Sequence, residues 1–183
     1  MKKILILLPF SILLFSCSRQ SKDLNFKERC KHVQNIIEKT LENYSQMDVI
    51  QSRRIAQYKK VTKLGEEWIK DPTYNSINDI YFKLKNKGKK IEKEKNKAYQ
   101  ELFLVMGLDK KSVLKNMKLV TGGEIMEKNY NKSLGIYNDW LTYTSTKEYK
   151  IAKDWYSENR NQTKDFCNEF GIDLLKPYEN FSF

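Results

Sequence analysis

The sequence predicts an all-α protein, a single antiparallel helical bundle of about four to five helices behind a cleaved signal peptide. Three observations predict it. Apolar residues recur at intervals of three and four over most of the chain, which lines one face of a helix and no face of a strand. Only three of the 183 residues are proline and 31% are charged, a composition suited to long amphipathic helices and not to a sandwich or barrel. Helix punctuation, in the form of capping acids, hydroxyls and C-terminal glycines, falls between the periodic segments.

The first periodic segment runs through Phe26, Cys30, Val33, Ile37, Leu41, Tyr44 and Met47, and continues or restarts at Asp48 with Ile55, Tyr58, Val61, Leu64 and Trp68. Asp71-Pro72 stops it, because proline disfavours the helical conformation of the residue before it. Gly65 marks a place where it can bend. A second helix is expected from Ser76, with Asp79 three residues on. Its apolar positions Ile77, Leu84, Ile91, Ala98 and Val105 recur every seven residues, with Tyr81, Gly88, Lys95 and Leu102 four residues after the first four. That period is a narrow packing seam, and Gly107 ends it. Asp109 caps a short helix to about Lys118, Gly122-Gly123 breaks the chain, and a further helix covers 124–143 with Met126, Tyr130, Leu134, Tyr137, Trp140 and Leu141 on its stripe. Ser145 and Glu148 form a capping box for a last helix that ends at Gly171. The apolar residues Leu174, Leu175, Pro177, Tyr178, Phe181 and Phe183 are expected to fold back over one end of the bundle.

The N-terminus sets the domain organisation. Lys2 and Lys3 precede an apolar run, Ile4 to Phe15 (ILILLPFSILLF), that is too short to span a bilayer as a helix and has the form of a secretory leader. The run closes at Leu14-Phe15-Ser16-Cys17, with polar Ser18-Arg19-Gln20-Ser21-Lys22 beyond it. This junction resembles the lipobox of bacterial lipoproteins. The resemblance implies cleavage before Cys17, a diacylglycerol thioether on its sulfur and an acyl chain such as palmitate on its new amino group. Residues 1–16 are then a signal peptide, 17–24 a lipidated tether, and 25–183 the helical domain. Two or three acyl chains, at about 0.8 kcal/mol per buried CH2, hold a protein on a membrane essentially permanently. Ser18, not being aspartate, implies by the enterobacterial sorting rule an address in the outer membrane.

With residues 1–16 removed, 32 basic residues face 23 acidic ones, a charge of +9. Such a surplus suits anionic neighbours, and nucleic acid is excluded as a partner by the exported location. The two cysteines besides Cys17 are Cys30 and Cys167, which in an oxidising envelope pair most simply as a structural disulfide, setting the first and last helices side by side. Between positions 83 and 97 stand Lys83, Lys85, Lys87, Lys89, Lys90, Lys93, Lys95 and Lys97, against Glu92 and Glu94. Lys95 falls in the packing seam, and for the other seven two readings stand side by side, the solvated face of a long helix and a stripe for an anionic partner. No aromatic residue lies between Phe82 and Tyr99, so no base-stacking platform is indicated.

Catalytic chemistry finds little support. His32 is the single histidine and has no companions with metal-ligand spacing, so neither a metal nor another cofactor is expected. Glu66 and Glu67 sit at adjacent helix positions and diverge, and no nucleophile elbow is present. The C-terminal half is rich in aromatics, and Tyr137, Trp140, Tyr143, Trp155 and Tyr156 read either as core alone or as core with an exposed interface. The expected function is therefore that of a membrane-anchored, non-catalytic module of the cell envelope that binds a protein partner, in surface or periplasmic interaction, exclusion, immunity or host-factor binding. The alternative is an accessory subunit of an envelope assembly or secretion complex, and an envelope hydrolase stands third.

Overall fold

The computed structural model describes residues 10–129, 134–179 and 181, and among them every regular element is helical. Six α-helices follow in order: α1 Phe10–Val61, α2 Pro72–Val105, α3 Lys110–Asn129, α4 Leu134–Ser145, α5 Lys147–Glu169 and α6 Lys176–Glu179. A 3-10 segment, Thr62–Lys70, joins α1 to α2. Six helices stand where four to five are expected, the extra one being the single turn α6 in the apolar C-terminal stretch. No helix among the described residues is long and apolar enough to cross a membrane. The chain divides into two compact units, the first made of residues up to His32 with Gln100–Leu174 and the second of Val33–Tyr99 with Leu175–Phe183.

α1 is unbroken through Asp48, so the two halves of its periodic stripe belong to one helix of 52 residues. Its backbone is already helical through positions 17–24, where a polar tether is expected. The helix gives way at Val61, and the 3-10 segment turns at Gly65, whose φ of 69° and ψ of −142° lie in a region open almost only to glycine. Asp71-Pro72 then plays two parts. It stops the preceding segment, and it starts α2 four residues before Ser76. Asp71 Oδ1 accepts the backbone N–H of Tyr74 at 2.6 Å and the side-chain amide of Gln57 at 3.3 Å. Pro72 occupies the first helical position, where a missing N–H costs nothing and a fixed φ is already helical.

In the second unit, the seven-residue seam of α2 is its inward face. Ile91 and Ala98 are buried, and Ile77 and Leu84 are half-buried. Gly88 sits in this seam because Asn43 of α1, 1% exposed, occupies the space beside it. A Cβ added at Gly88 stands 2.8 Å from Asn43 Nδ2. Lys95, a charge in a seam position, is tolerated because Glu92 one turn back holds its ammonium at 2.6 Å, with the two side chains only 15% and 11% exposed. Arg54 lies 4.7 Å over the ring of Tyr81, a cation–π contact linking α1 to α2 near the turn.

In the first unit, α2 and α5 both end as the glycines require. Gly107 (φ 91°) donates to the Leu104 carbonyl, and Leu108 donates to that of Phe103. Gly171 (φ 71°) and Ile172 repeat the pattern on Asn168 and Cys167. Both are Schellman closures, in which a left-handed glycine satisfies orphan carbonyls. α3 begins at the expected cap, with Asp109 Oδ2 accepting the Ser112 N–H at 2.8 Å. That bond, reinforced by the Ser112 hydroxyl, holds the Asp109 carboxyl below its usual range.

Two local expectations are corrected here. Gly122-Gly123 does not break the chain, because α3 runs through both to Asn129. Their lack of side chains admits two tyrosines: a Cβ at Gly122 meets the Tyr143 hydroxyl at 2.8 Å, and one at Gly123 falls under 3.0 Å from the ring of Tyr149. The capping box is also displaced by one residue. Ser145 is the last residue of α4, its hydroxyl donating to the Leu141 carbonyl at 2.6 Å. Thr146 adopts the extended cap conformation, accepts from the Tyr149 N–H at 3.3 Å and donates to the Tyr143 carbonyl at 2.7 Å.

α3 packs on α4 and α5, and α4 on α5. The inward stripe of α5 is Tyr149, Ala152, Tyr156, Asn159, Thr163 and Cys167. The two polar members turn their donors back onto their own helix, Asn159 to the Trp155 carbonyl at 2.7 Å and Thr163 to that of Arg160 at 2.6 Å, so burial leaves these donors satisfied. Cys30 and Cys167 meet at disulfide distance, both 0% exposed and with Cα atoms 5.5 Å apart. Phe26 stacks edge-on against Phe166 and Phe170 beside them, each pair 5.7 Å between ring centres. Arg29 reaches Glu101 at 3.0 Å in a pair 34% and 42% exposed, which solvent screens to a few tenths of a kcal/mol, about the median for such pairs.

Candidate functional site

The candidate with the clearest geometry is the outer face of α2. One hundred degrees per residue carries Leu84, Ile91 and Ala98 inward and leaves the lysines of 83–97 on the remaining arc. Lys83, Lys87, Lys90, Lys93 and Lys97 are exposed, and Lys85 and Lys89 flank them half-buried. Lys95 alone of the eight belongs to the seam, where Glu92 neutralises it. Setting that pair aside, positions 83–94 hold six lysines and Glu94, a local surplus of +5.

Successive members of the exposed row are three or four residues apart, so each ammonium has another as its neighbour one turn away: Lys83 with Lys87, Lys87 with Lys90, Lys90 with Lys93, and Lys93 with Lys97. Like charges at these spacings weaken a helix by a few tenths of a kcal/mol per pair, about the size of the gain from opposite charges. Asp79, one turn before Lys83, and Glu94 relieve only part of this. From Lys83 to Lys93 the row is about 15 Å long at 1.5 Å per residue. No apolar side chain interrupts it, since Leu84 and Ile91, the apolar residues of 83–93, face inward.

The aromatic candidates are spent mainly on packing. Tyr156 is 8% exposed and packs with half-buried Trp155 around Phe103, at 6.1 and 5.4 Å between ring centres. Tyr143 is half-buried and donates its hydroxyl to the Leu119 carbonyl at 2.9 Å, which fixes α4 to α3. Burial pushes its phenol above the ordinary tyrosine value. Trp140 is half-buried, and the Tyr137 side chain lies outside the described part of the structure. Tyr156, in particular, offers no surface to a partner.

The backbone of Cys17 lies in α1, and its side chain, like residues 1–9, lies outside what the structure describes. Cys30 and Cys167 stand together as expected from the sequence. His32 is exposed, and among the described residues no group of three or more histidine, cysteine or acidic side chains is placed to hold a metal ion. The feature that sequence reading misses is the Glu92–Lys95 pair, which neutralises the lysine that the periodicity places in the seam. Its signal is the coincidence of a lysine with a seam position and a glutamate three residues before it. No family model, curated protein or solved structure matches the chain.

Proposed function

We propose that the chain is a lipid-anchored bacterial lipoprotein, cleaved before Cys17 and held on the envelope membrane, with the outer membrane as its address. Its helical body is a non-catalytic binding module. The Cys30–Cys167 bridge fastens α5 to α1, the helix that emerges from the anchor. The observation that carries the binding role is the exposed lysine row of α2, because a face that accepts repulsion between its own neighbours gains when an anionic partner covers it. The lipobox-like junction at Leu14-Phe15-Ser16-Cys17 supports the anchor.

The anchor is tested by expressing the wild-type chain and Cys17→Ser, fractionating cells and weighing the products. The expected result is a wild-type protein in the membrane fraction carrying acyl mass at Cys17, and a variant that is neither acylated nor processed in that way. A variant that is matured and retained like the wild type overturns the anchor. For the binding role, crosslinking from position 90 in intact cells is expected to trap an envelope component. Co-purification with a multi-subunit assembly or secretion complex instead makes the chain an accessory subunit.

A further inference from the structure

We infer that the outer face of α2 is a docking strip for an acidic polysaccharide, a linear chain bearing carboxylate, sulfate or phosphate groups at intervals along its length. The inference rests on the binding role proposed above and names the partner class of that same face. Three properties of the strip select this occupant. It is an extended row, with Lys83, Lys87, Lys90 and Lys93 exposed at three- and four-residue steps over about 15 Å of helix and roughly a third of its circumference, which matches a linear array of charges better than a compact ligand. It is built of lysine alone. An ammonium on a flexible stem takes up any anion without fixed geometry, whereas arginine is the residue that reads planar groups bidentately. Between positions 83 and 97 it also exposes no apolar or aromatic side chain, since Leu84 and Ile91 are turned inward, and exposed Ile80 and Phe82 stand just before its first lysine.

The third property argues against the competing occupants. A protein partner draws its affinity from buried tyrosine, tryptophan or arginine, and lysine is depleted in interface cores. An interfacial helix lies on a bilayer by sinking a continuous apolar face among the acyl chains, and over positions 83–97, beyond exposed Ile80 and Phe82, this face has none. A charged polymer needs neither, because its affinity comes from counterion release along a row of like charges. The surplus of +5 over positions 83–94 supplies that row.

The test uses the full-length protein in a neutral detergent micelle. The probes are heparin and polygalacturonate, with neutral dextran as blank and phosphatidylglycerol vesicles as the lipid alternative. Binding is measured over a salt series for the wild type, for Lys83→Gln/Lys87→Gln/Lys90→Gln/Lys93→Gln, and for a control of equal charge change on α3, Lys110→Gln/Lys111→Gln/Lys115→Gln/Lys118→Gln. Circular dichroism and Tm establish that all three are folded.

The expected result is salt-sensitive binding of both acidic glycans that falls at least about tenfold in the α2 variant, with the slope of log affinity against log salt reduced by about three. The α3 control is expected to lose less than about threefold. Equal losses in the two variants reduce the effect to net charge and overturn the strip. Wild-type binding no stronger than to dextran overturns it, as does lysine-row-dependent binding of the vesicles without binding of the glycans. The mass of the same preparation reports acylation separately. An unacylated Cys17 sinks the anchor and leaves the glycan result standing.

Discussion

Gly123 and Tyr149 show how a single missing side chain decides packing. Alanine at Gly123 gains about 1 kcal/mol of helix propensity, yet its methyl falls under 3.0 Å from a ring that is only 8% exposed and has no room to retreat. Gly123→Ala is therefore expected to destabilise the protein by about 1–3 kcal/mol, read as a lower midpoint in urea. In a Tyr149→Leu background the same change is expected to turn neutral or stabilising. A second residue-scale test concerns Tyr143. Its phenol is raised by burial, so the stability it contributes is complete below the unfolded tyrosine value and is lost as pH rises through the higher folded value. Denaturation midpoints followed from pH 9 upward are expected to fall more steeply for the wild type than for Tyr143→Phe. Equal slopes would mean that the phenol is not desolvated.

At the scale of elements, the termini were the most legible part of the sequence. Asp109, Gly107 and Gly171 act where local chemistry puts them, because a cap or a left-handed glycine needs only its own turn. Gly122-Gly123 misled because its reason lies twenty and more residues away, in tyrosines of α4 and α5 that local reading cannot bring to α3. Ser145 and Thr146 offer the same oxygen one residue apart, and the choice falls to the carbonyls of Leu141 and Tyr143. The lysine row was visible as composition, and the seam with Lys95 in it as periodicity, but what lets a charge stand there, Glu92 one turn back, required the packed seam. Asp71 tests this scale directly. Asp71→Ala removes the oxygen that accepts from Tyr74 and Gln57 and is expected to cost about 1–2 kcal/mol, with Asp71→Asn restoring most of it. Hydrogen exchange is expected to accelerate first at the start of α2, and exchange unchanged there would show that Pro72 alone sets the helix start.

For the whole molecule the decisive feature is the bond between Cys30 and Cys167, which closes 137 residues of sequence. Constraint of the unfolded chain by a loop of that size is worth about 5 kcal/mol in the chain-entropy estimate, and removal of native bridges typically costs about 2–5 kcal/mol. The double variant Cys30→Ala/Cys167→Ala is expected to show a loss in that range by urea denaturation. A loss under about 1 kcal/mol would mean that the packing of Phe26 against Phe166 and Phe170 holds the pair together without the bond.

The same bond changes how the protein meets a pull. When force enters through the first residues of α1 and leaves through a partner gripping position 90, tension divides at Cys30. One strand of covalent backbone runs 60 residues forward to the grip, and the other crosses to Cys167 and runs 77 residues back. Both must stretch before the grip is drawn away from the surface, so a strain that would peel an open chain is shared between two arms of a ring.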